Sequence, residues 1–255
     1  MRDFSGKCYW IIGASEGLGR ALAHDLAEAG ARLVLSARHE DRLRSLQSEL
    51  EPLCDAAVLP LDLRDQASVD AAFEALPDVD GIIYMAGAYQ PMTVQEWEQA
   101  GIETMLDVNL NGAVRILSGI LPRFLERDRG HIVLVGSLSA YRGLPGAIGY
   151  GVSKAALMHL AECLRIDLRD SAVEVQLVNP GFIETRLTAK NDFDMPFIMT
   201  PEEASKAMMK GISSTRFKTD FPWGFSLVFR IGRILPEWLW FRIFSRKSEG
   251  GSQAR

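Results

Sequence analysis

Short apolar runs alternate with longer helical segments along the whole chain, and no other feature of the sequence restricts the fold so strongly. The runs are Cys8–Ile12, Arg32–Ser36, 56–61, 81–85, 131–135 and 173–178. Each is rich in Val, Ile or Leu with little polar alternation, the pattern of strands covered on both faces. Helical punctuation lies between them. Gly30 sits where a first helix should stop, and Thr93 with Glu96 and Thr200 with Glu203 read as capping boxes. Pro201 occupies the first helical position after the second box. Parallel neighbours need a crossover, so strands and helices in this order predict a parallel sheet covered by helices on both faces. Right-handed crossovers then give an α/β, doubly wound Rossmann-type sheet.

At 255 residues with no Pro/Gly/Ser-rich linker, the chain reads as one domain with a distinct end. Residues 1–211 form the Rossmann-type dinucleotide-binding and catalytic unit, and residues 212–255 an aromatic and basic tail. Residues 201–255 carry 10 basic and 5 acidic side chains, against 18 basic and 28 acidic in residues 1–200. The net charge of −5 argues against nucleic acid as a partner. Three dispersed cysteines suit a reducing cytoplasm, and the four histidines show no metal-ligand spacing, so no metal is expected. There is no signal-peptide pattern and no uninterrupted 18-residue apolar run.

Two motifs carry chemistry. The first apolar run leads into Gly13, Ala14, Ser15, Glu16, Gly17, Leu18 and Gly19, and then a helix. A glycine-rich turn there lets the backbone approach a pyrophosphate, which the helix N-terminus attracts. The second is Tyr150-Gly-Val-Ser-Lys154, with Ser137 thirteen residues before the tyrosine. Positions i and i+4 share a helix face, so the Lys154 ammonium is expected to lie by the Tyr150 phenol and lower its pKa. Tyr150 then serves as acid and base, while Ser137 hydrogen-bonds a carbonyl oxygen.

With these motifs in this order, the chain resembles the short-chain dehydrogenase/reductase family over about residues 6–210. The resemblance implies that Gly13, Ser15, Gly17, Leu18 and Gly19 line the pyrophosphate and ribose site, and that Asp62 binds adenine. It makes Asn109, Ser137, Tyr150 and Lys154 the catalytic tetrad, with Asn109 holding a proton-relay water. Pro180, Gly181, Ile183 and Thr185 match the segment that holds the nicotinamide. Ala86 and Gly87 keep the close approach after the fourth strand, but Met85 replaces the family's asparagine, which puts local rigidity in question. Arg38 follows the second strand, with Ala37 where an NAD-specific relative would carry an acid. Arg38 can fork onto a 2′-phosphate, so NADP(H) is favoured over NAD(H), although Glu16 opposes that charge.

The implied activity is NAD(P)-dependent oxidoreduction of a carbonyl or secondary alcohol; an idle nucleotide-binding or membrane-associated scaffold and an epimerase-like enzyme are the alternatives. The segment 187–200, with Phe193, Met195, Phe197, Ile198 and Met199, sits where the family closes a lid, and its composition suits an apolar substrate. A homo-oligomer is expected. His159 and Cys163 read as packing residues. Nine aromatic side chains lie between positions 217 and 244, with basic residues among them. Helix from 224 to 235 would set Ser226, Arg230 and Arg233 as a polar stripe opposite an apolar face, and Pro236 would end it. Such a tail suits either peripheral contact with the inner face of a membrane or packing over the cleft or a partner subunit.

Overall fold

The computed structural model describes residues 1–245; the last part of the tail, 246–255, lies outside the described residues. Seven strands form one parallel sheet: β1 (Cys8–Ile12), β2 (Arg32–Ser36), β3 (Ala56–Val58), β4 (Gly81–Tyr84), β5 (Gly130–Val135), β6 (Val173–Pro180) and β7 (Lys218–Phe221). Their order is β3-β2-β1-β4-β5-β6-β7. The chain therefore builds outward from β1 to one edge, returns to β4, and builds to the other. Between them run α1 (Gly17–Glu28), α2 (Glu40–Leu50), α3 (Gln66–Ala75), α4 (Gln99–Leu106), α5 (Gly112–Glu126), α6 (Ile148–Asp167) and α7 (Pro201–Ile212), with α8 (Trp223–Ile234) and α9 (Glu237–Ser245) following the last strand.

The period of two along each strand divides the core. Cys8, Trp10 and Ile12 of β1 face one layer, with Val69 of α3, Ile116 and Phe124 of α5, and Leu157 of α6. Tyr9 and Ile11 face the other, with Leu22 of α1, Leu46 of α2 and Met208 of α7. Both capping boxes form; the one at Thr93 starts only a single 3-10 turn, Val94–Glu96. Gly30 lies just past α1 with φ of +82°, the left-handed conformation that a helix stop requires of it.

Two strands depart from expectation. β3 ends at Val58 rather than Leu61 and is not covered on both faces, because it lies at the sheet edge and Ala57 is exposed. β7 comes from within residues 212–255 and has no apolar run to announce it, since its sequence is Lys-Thr-Asp-Phe. What brings it in is tertiary. The buried Gln176 amide of β6 donates to the carbonyls of Ser214 (2.9 Å) and Arg216 (2.7 Å), drawing the approach to β7 against the sheet.

Candidate active site

The sheet order reverses between β1 and β4, and the carboxyl ends of these strands open a crevice there. Gly13 leaves β1 at φ +101°, and a Cβ on it would lie 2.7 Å from the Ala86 amide nitrogen. A Cβ on Gly19 would lie 2.0 Å from the Gly13 carbonyl oxygen. Only glycine allows the two turns and α1 to pack this closely. Gly17 is also left-handed, at φ +51°, and faces the Thr185 side chain. The turn after β1 and the segment after β6 therefore meet over one site. Glu16 precedes α1 without a side-chain cap and the first turn holds no acid, so its amide end is available to an anion. A Cβ on Gly87 would meet Asn109 Oδ1 and Leu187 only at 3.9 Å, an ordinary contact. These features fit a dinucleotide.

Tyr150, Lys154 and Ser137 converge beyond β5. Lys154 lies in the buried face of α6, donates to the Val135 carbonyl at 2.8 Å, and holds its ammonium 5.9 Å from the centre of the Tyr150 ring. The Ser137 hydroxyl acts on the Tyr150 hydroxyl and accepts from the Ser139 hydroxyl at 2.9 Å. The electrostatics differ from expectation. Desolvation raises the Tyr150 phenol to about 12, opposed by the Ser137 hydroxyl, and lowers Lys154 to about 8. Burial penalises both charged forms, and for the phenol this desolvation is the dominant influence. A phenol held protonated at neutral pH is the form a proton donor needs.

Asn109 is placed by a π turn, Asp107–Asn111, between α4 and α5. Its fully buried side chain accepts from the Ala88 amide (2.7 Å) and donates to the Ala88 carbonyl (3.0 Å) and the Ser153 hydroxyl (2.9 Å). The Tyr84 hydroxyl donates to the Val108 carbonyl inside the same turn. Asn109 and Tyr84 thus brace the loop after β4, where Met85 offers no amide. Asp62 is half-buried after β3, and its carboxylate accepts from the Arg64 amide at 3.0 Å. Pro180 ends β6, and Ile183 bridges to Met199 of the lid segment.

Arg38 is exposed beside the crevice and has no hydrogen-bond or ion-pair partner among the described residues. Glu16 is not free to oppose it. Arg42 of α2 pairs with one carboxylate oxygen, and Arg186 pairs with the other at 3.1 Å. The spacing of these residues gave no sign of the pairing.

An aromatic wall stands beyond β6. Phe182 lies 5.9 Å from Phe193 and 5.6 Å from Phe225, Phe197 stacks on Phe225 at 5.7 Å, and Phe225 meets Phe229 at 5.0 Å, all between ring centres. The lid segment and α8 therefore form one surface. Sequence reasoning missed Tyr89, whose ring meets Tyr150 edge-on at 5.0 Å and whose hydroxyl donates to Asn191 at 2.7 Å. No motif marks it; only the fold puts the loop after β4 against α6. Three other readings are corrected. His159 and Cys163 lie on the exposed face of α6 with Val152 and Ile166, opposite Lys154, and are not packed in the core. Ser226 is buried and donates to the Trp223 carbonyl at 2.8 Å, so it does not join the exposed Arg230 and Arg233.

Comparison with known proteins agrees with this geometry. A short chain dehydrogenase family model matches residues 7–195. An oxidoreductase of Myxococcus xanthus is 35% identical over 243 residues, covering 92% of this chain and 95% of that protein. A sulfoacetaldehyde reductase of Chromohalobacter salexigens is 38% identical over 187 residues, covering 71% and 74%. The structure of a short-chain dehydrogenase from Sphingobium yanoikuyae in complex with NADPH superposes with a TM-score of 0.79 at 26% identity, covering 98% of this chain and 96% of that one.

Proposed function

The chain belongs to the short-chain dehydrogenase/reductase family of NAD(P)-dependent oxidoreductases, which move a hydride between a nicotinamide and a carbonyl or alcohol, and from that premise we propose an NADP(H)-preferring reductase of apolar carbonyl compounds. The convergence of Tyr150, Lys154 and Ser137 beside the glycine turn carries the chemistry. In this reading Gly13, Ser15, Gly17, Leu18 and Gly19 bind the pyrophosphate, Asp62 the adenine, and Ala86, Gly87, Pro180, Gly181, Ile183 and Thr185 enclose the nicotinamide end. Residues 1–211 hold cofactor and chemistry, while the described part of the tail, 212–245, adds β7 and covers the substrate side.

Bound nicotinamide supplies the hydride in the reductive direction. Ser137 orients the carbonyl oxygen by donating its hydroxyl proton in a hydrogen bond. Tyr150 transfers its phenolic proton to that oxygen, and the Lys154 ammonium stabilises the phenolate left behind. The π turn at Asn109 interrupts the regular helical bonding of its carbonyls, and a relay water held there would return the proton. The aromatic wall excludes bulk water from this exchange.

Preference for NADP(H) is supported by Arg38, a cation beside the crevice without a partner among the described residues, and by Glu16, whose charge Arg42 and Arg186 already neutralise. An apolar substrate is supported by Phe182, Phe193, Phe197 and Phe225. Arg186, just before the lid segment, is engaged by Glu16, and Lys190 within it by the Tyr89 carbonyl at 2.8 Å, which weighs against a sulfonate like that of the sulfoacetaldehyde reductase relative. Exposed Val114 and Leu125 on α5 and Val152 and Ile166 on α6 support a homo-oligomer. The thiols, none of them in a disulfide among the described residues, support a cytoplasmic location, with membrane contact confined to the tail. A panel of soluble carbonyl compounds, read by loss of reduced-nicotinamide absorbance with each cofactor, tests the reading. Turnover with NADPH well above NADH is expected, and absence of turnover with every carbonyl would overturn it.

A further inference from the structure

Helix α8 has two apolar faces, and the described residues cover only one. Phe225 and Phe229 turn toward the aromatic wall. On the other side Trp223, Leu227, Val228, Ile231 and Ile234 follow the helical repeat and are exposed, Trp223 at 73% and Ile234 at 81%. Past Pro236, α9 exposes Trp238 at 65% and Phe241 at 63% as well.

The two helices are fastened to the body. Trp240 is buried against Gly232 and donates its indole N–H to the Gly143 carbonyl at 2.9 Å. Arg142 lies 5.3 Å over the Trp240 ring and donates to the carbonyls of Gly232 and Leu235. The exposed rings therefore belong to a fixed surface and not to a frayed end. Exposed Arg230 and Arg233 edge it, Arg242 stands on α9, and Glu237 is the one carboxylate in the two helices.

We propose that this face docks on an anionic lipid surface, and that the cleft behind Phe225 takes its carbonyl substrate from that lipid phase. The inference rests on the apolar-carbonyl reading above. Charge decides the occupant. Residues 1–200 carry 28 acidic against 18 basic side chains, so an anionic surface repels the body and attracts this basic-edged end. A second copy docked by a two-fold axis would bring the same arginines toward each other, an unfavourable like-charge contact. Exposed rings beside arginines suit the headgroup boundary of a bilayer, where rings lie at the interface and guanidinium groups meet phosphate. No described helix is long and apolar enough to cross a membrane, so the contact is peripheral. Because α8 carries the docking residues on one face and the cleft wall on the other, a docked molecule holds its substrate entrance at the lipid boundary.

The test uses full-length protein and phosphatidylcholine vesicles with or without phosphatidylglycerol. Wild type should co-sediment with the anionic vesicles and be released by high salt. The double variant Trp223→Glu/Ile234→Glu should lose about tenfold in vesicle affinity with an unchanged melting temperature. Arg233→Glu should weaken binding and Arg233→Lys retain it, which keeps the test valid if the double variant fails to fold. With NADPH, the double variant should lose activity on a long-chain 2-ketone dissolved in the vesicles and keep it on a short soluble ketone. Equal binding to neutral and anionic vesicles, or none to either, would overturn docking. A smaller oligomer in the double variant, with no vesicle binding by wild type, would assign the face to a second copy. Equal loss on both ketones would overturn delivery from lipid. Vesicle binding needs no turnover, so a failure of the carbonyl-reductase reading would show separately.

Discussion

At the scale of single residues, the site is governed by burial acting on charge. Tyr150→Phe keeps the ring against Tyr89 and removes the proton. Turnover should fall by about 10²–10⁴-fold with nearly unchanged cofactor affinity, measured by steady-state kinetics and cofactor titration. In the proposed mechanism the Lys154 charge serves both phenolate and cofactor, so in Lys154→Ala turnover and cofactor binding should fall together. Lys154 also has a stability signature. Its folded pKa, about 8, lies below its ordinary 10.5, so between these values the unfolded chain holds the extra proton and stability rises with pH. Thermal melts from pH 7 to 10 should show that rise in wild type, and Lys154→Met should flatten it. Arg38→Ala should lower kcat/KM for NADP(H) by about 10–100-fold, the worth of a charge-assisted hydrogen bond, and leave NAD(H) nearly unaffected. An unchanged ratio between the cofactors would remove Arg38 from the 2′-phosphate site.

The elements are held by close backbone approach and by buried polar ties between strands. Gly19→Ala would drive a Cβ into the Gly13 carbonyl and push α1 away from the turn. A loss of about 3 kcal/mol and of dinucleotide binding is expected, checked by denaturant unfolding and cofactor fluorescence. Across the sheet, His131 of β5 lies between the Tyr9 hydroxyl of β1 (3.0 Å) and the Gln176 amide of β6 (2.7 Å). Burial lowers its pKa to about 3. A histidine kept neutral in the fold takes up its proton only on unfolding, so stability should fall as pH drops from 6.5 toward 3. Equilibrium unfolding across this range should show that slope, and His131→Gln should reduce it.

At the scale of the whole molecule, one aromatic surface joins the segment after β6 to α8. Removing residues 222–255 takes away Phe225 and Phe229 but leaves all seven strands. The shortened chain should keep a cooperative melt and bind cofactor, while KM for an apolar carbonyl rises severalfold. Loss of cofactor binding would instead show that α8 and α9 support the Rossmann body. The broad apolar face expected of 224–235 is divided: one part closes the cleft and the other meets solvent. Helical periodicity reveals that a segment is apolar on a face, but not how many surroundings that face must serve.

Six strands, their parallel sense, the glycine turn and the Tyr150–Lys154 face were legible in the sequence because each depends on short-range spacing: two for a strand, four for a helix face, a tight turn between them. β7, the ion pairs of Glu16, the Asn109 brace, Tyr89 beside Tyr150 and the protonated state of the phenol were decided only by tertiary structure. Each depends on groups far apart in the chain, or on how much water the packed fold leaves around a charge, and neither quantity exists until the sheet has formed.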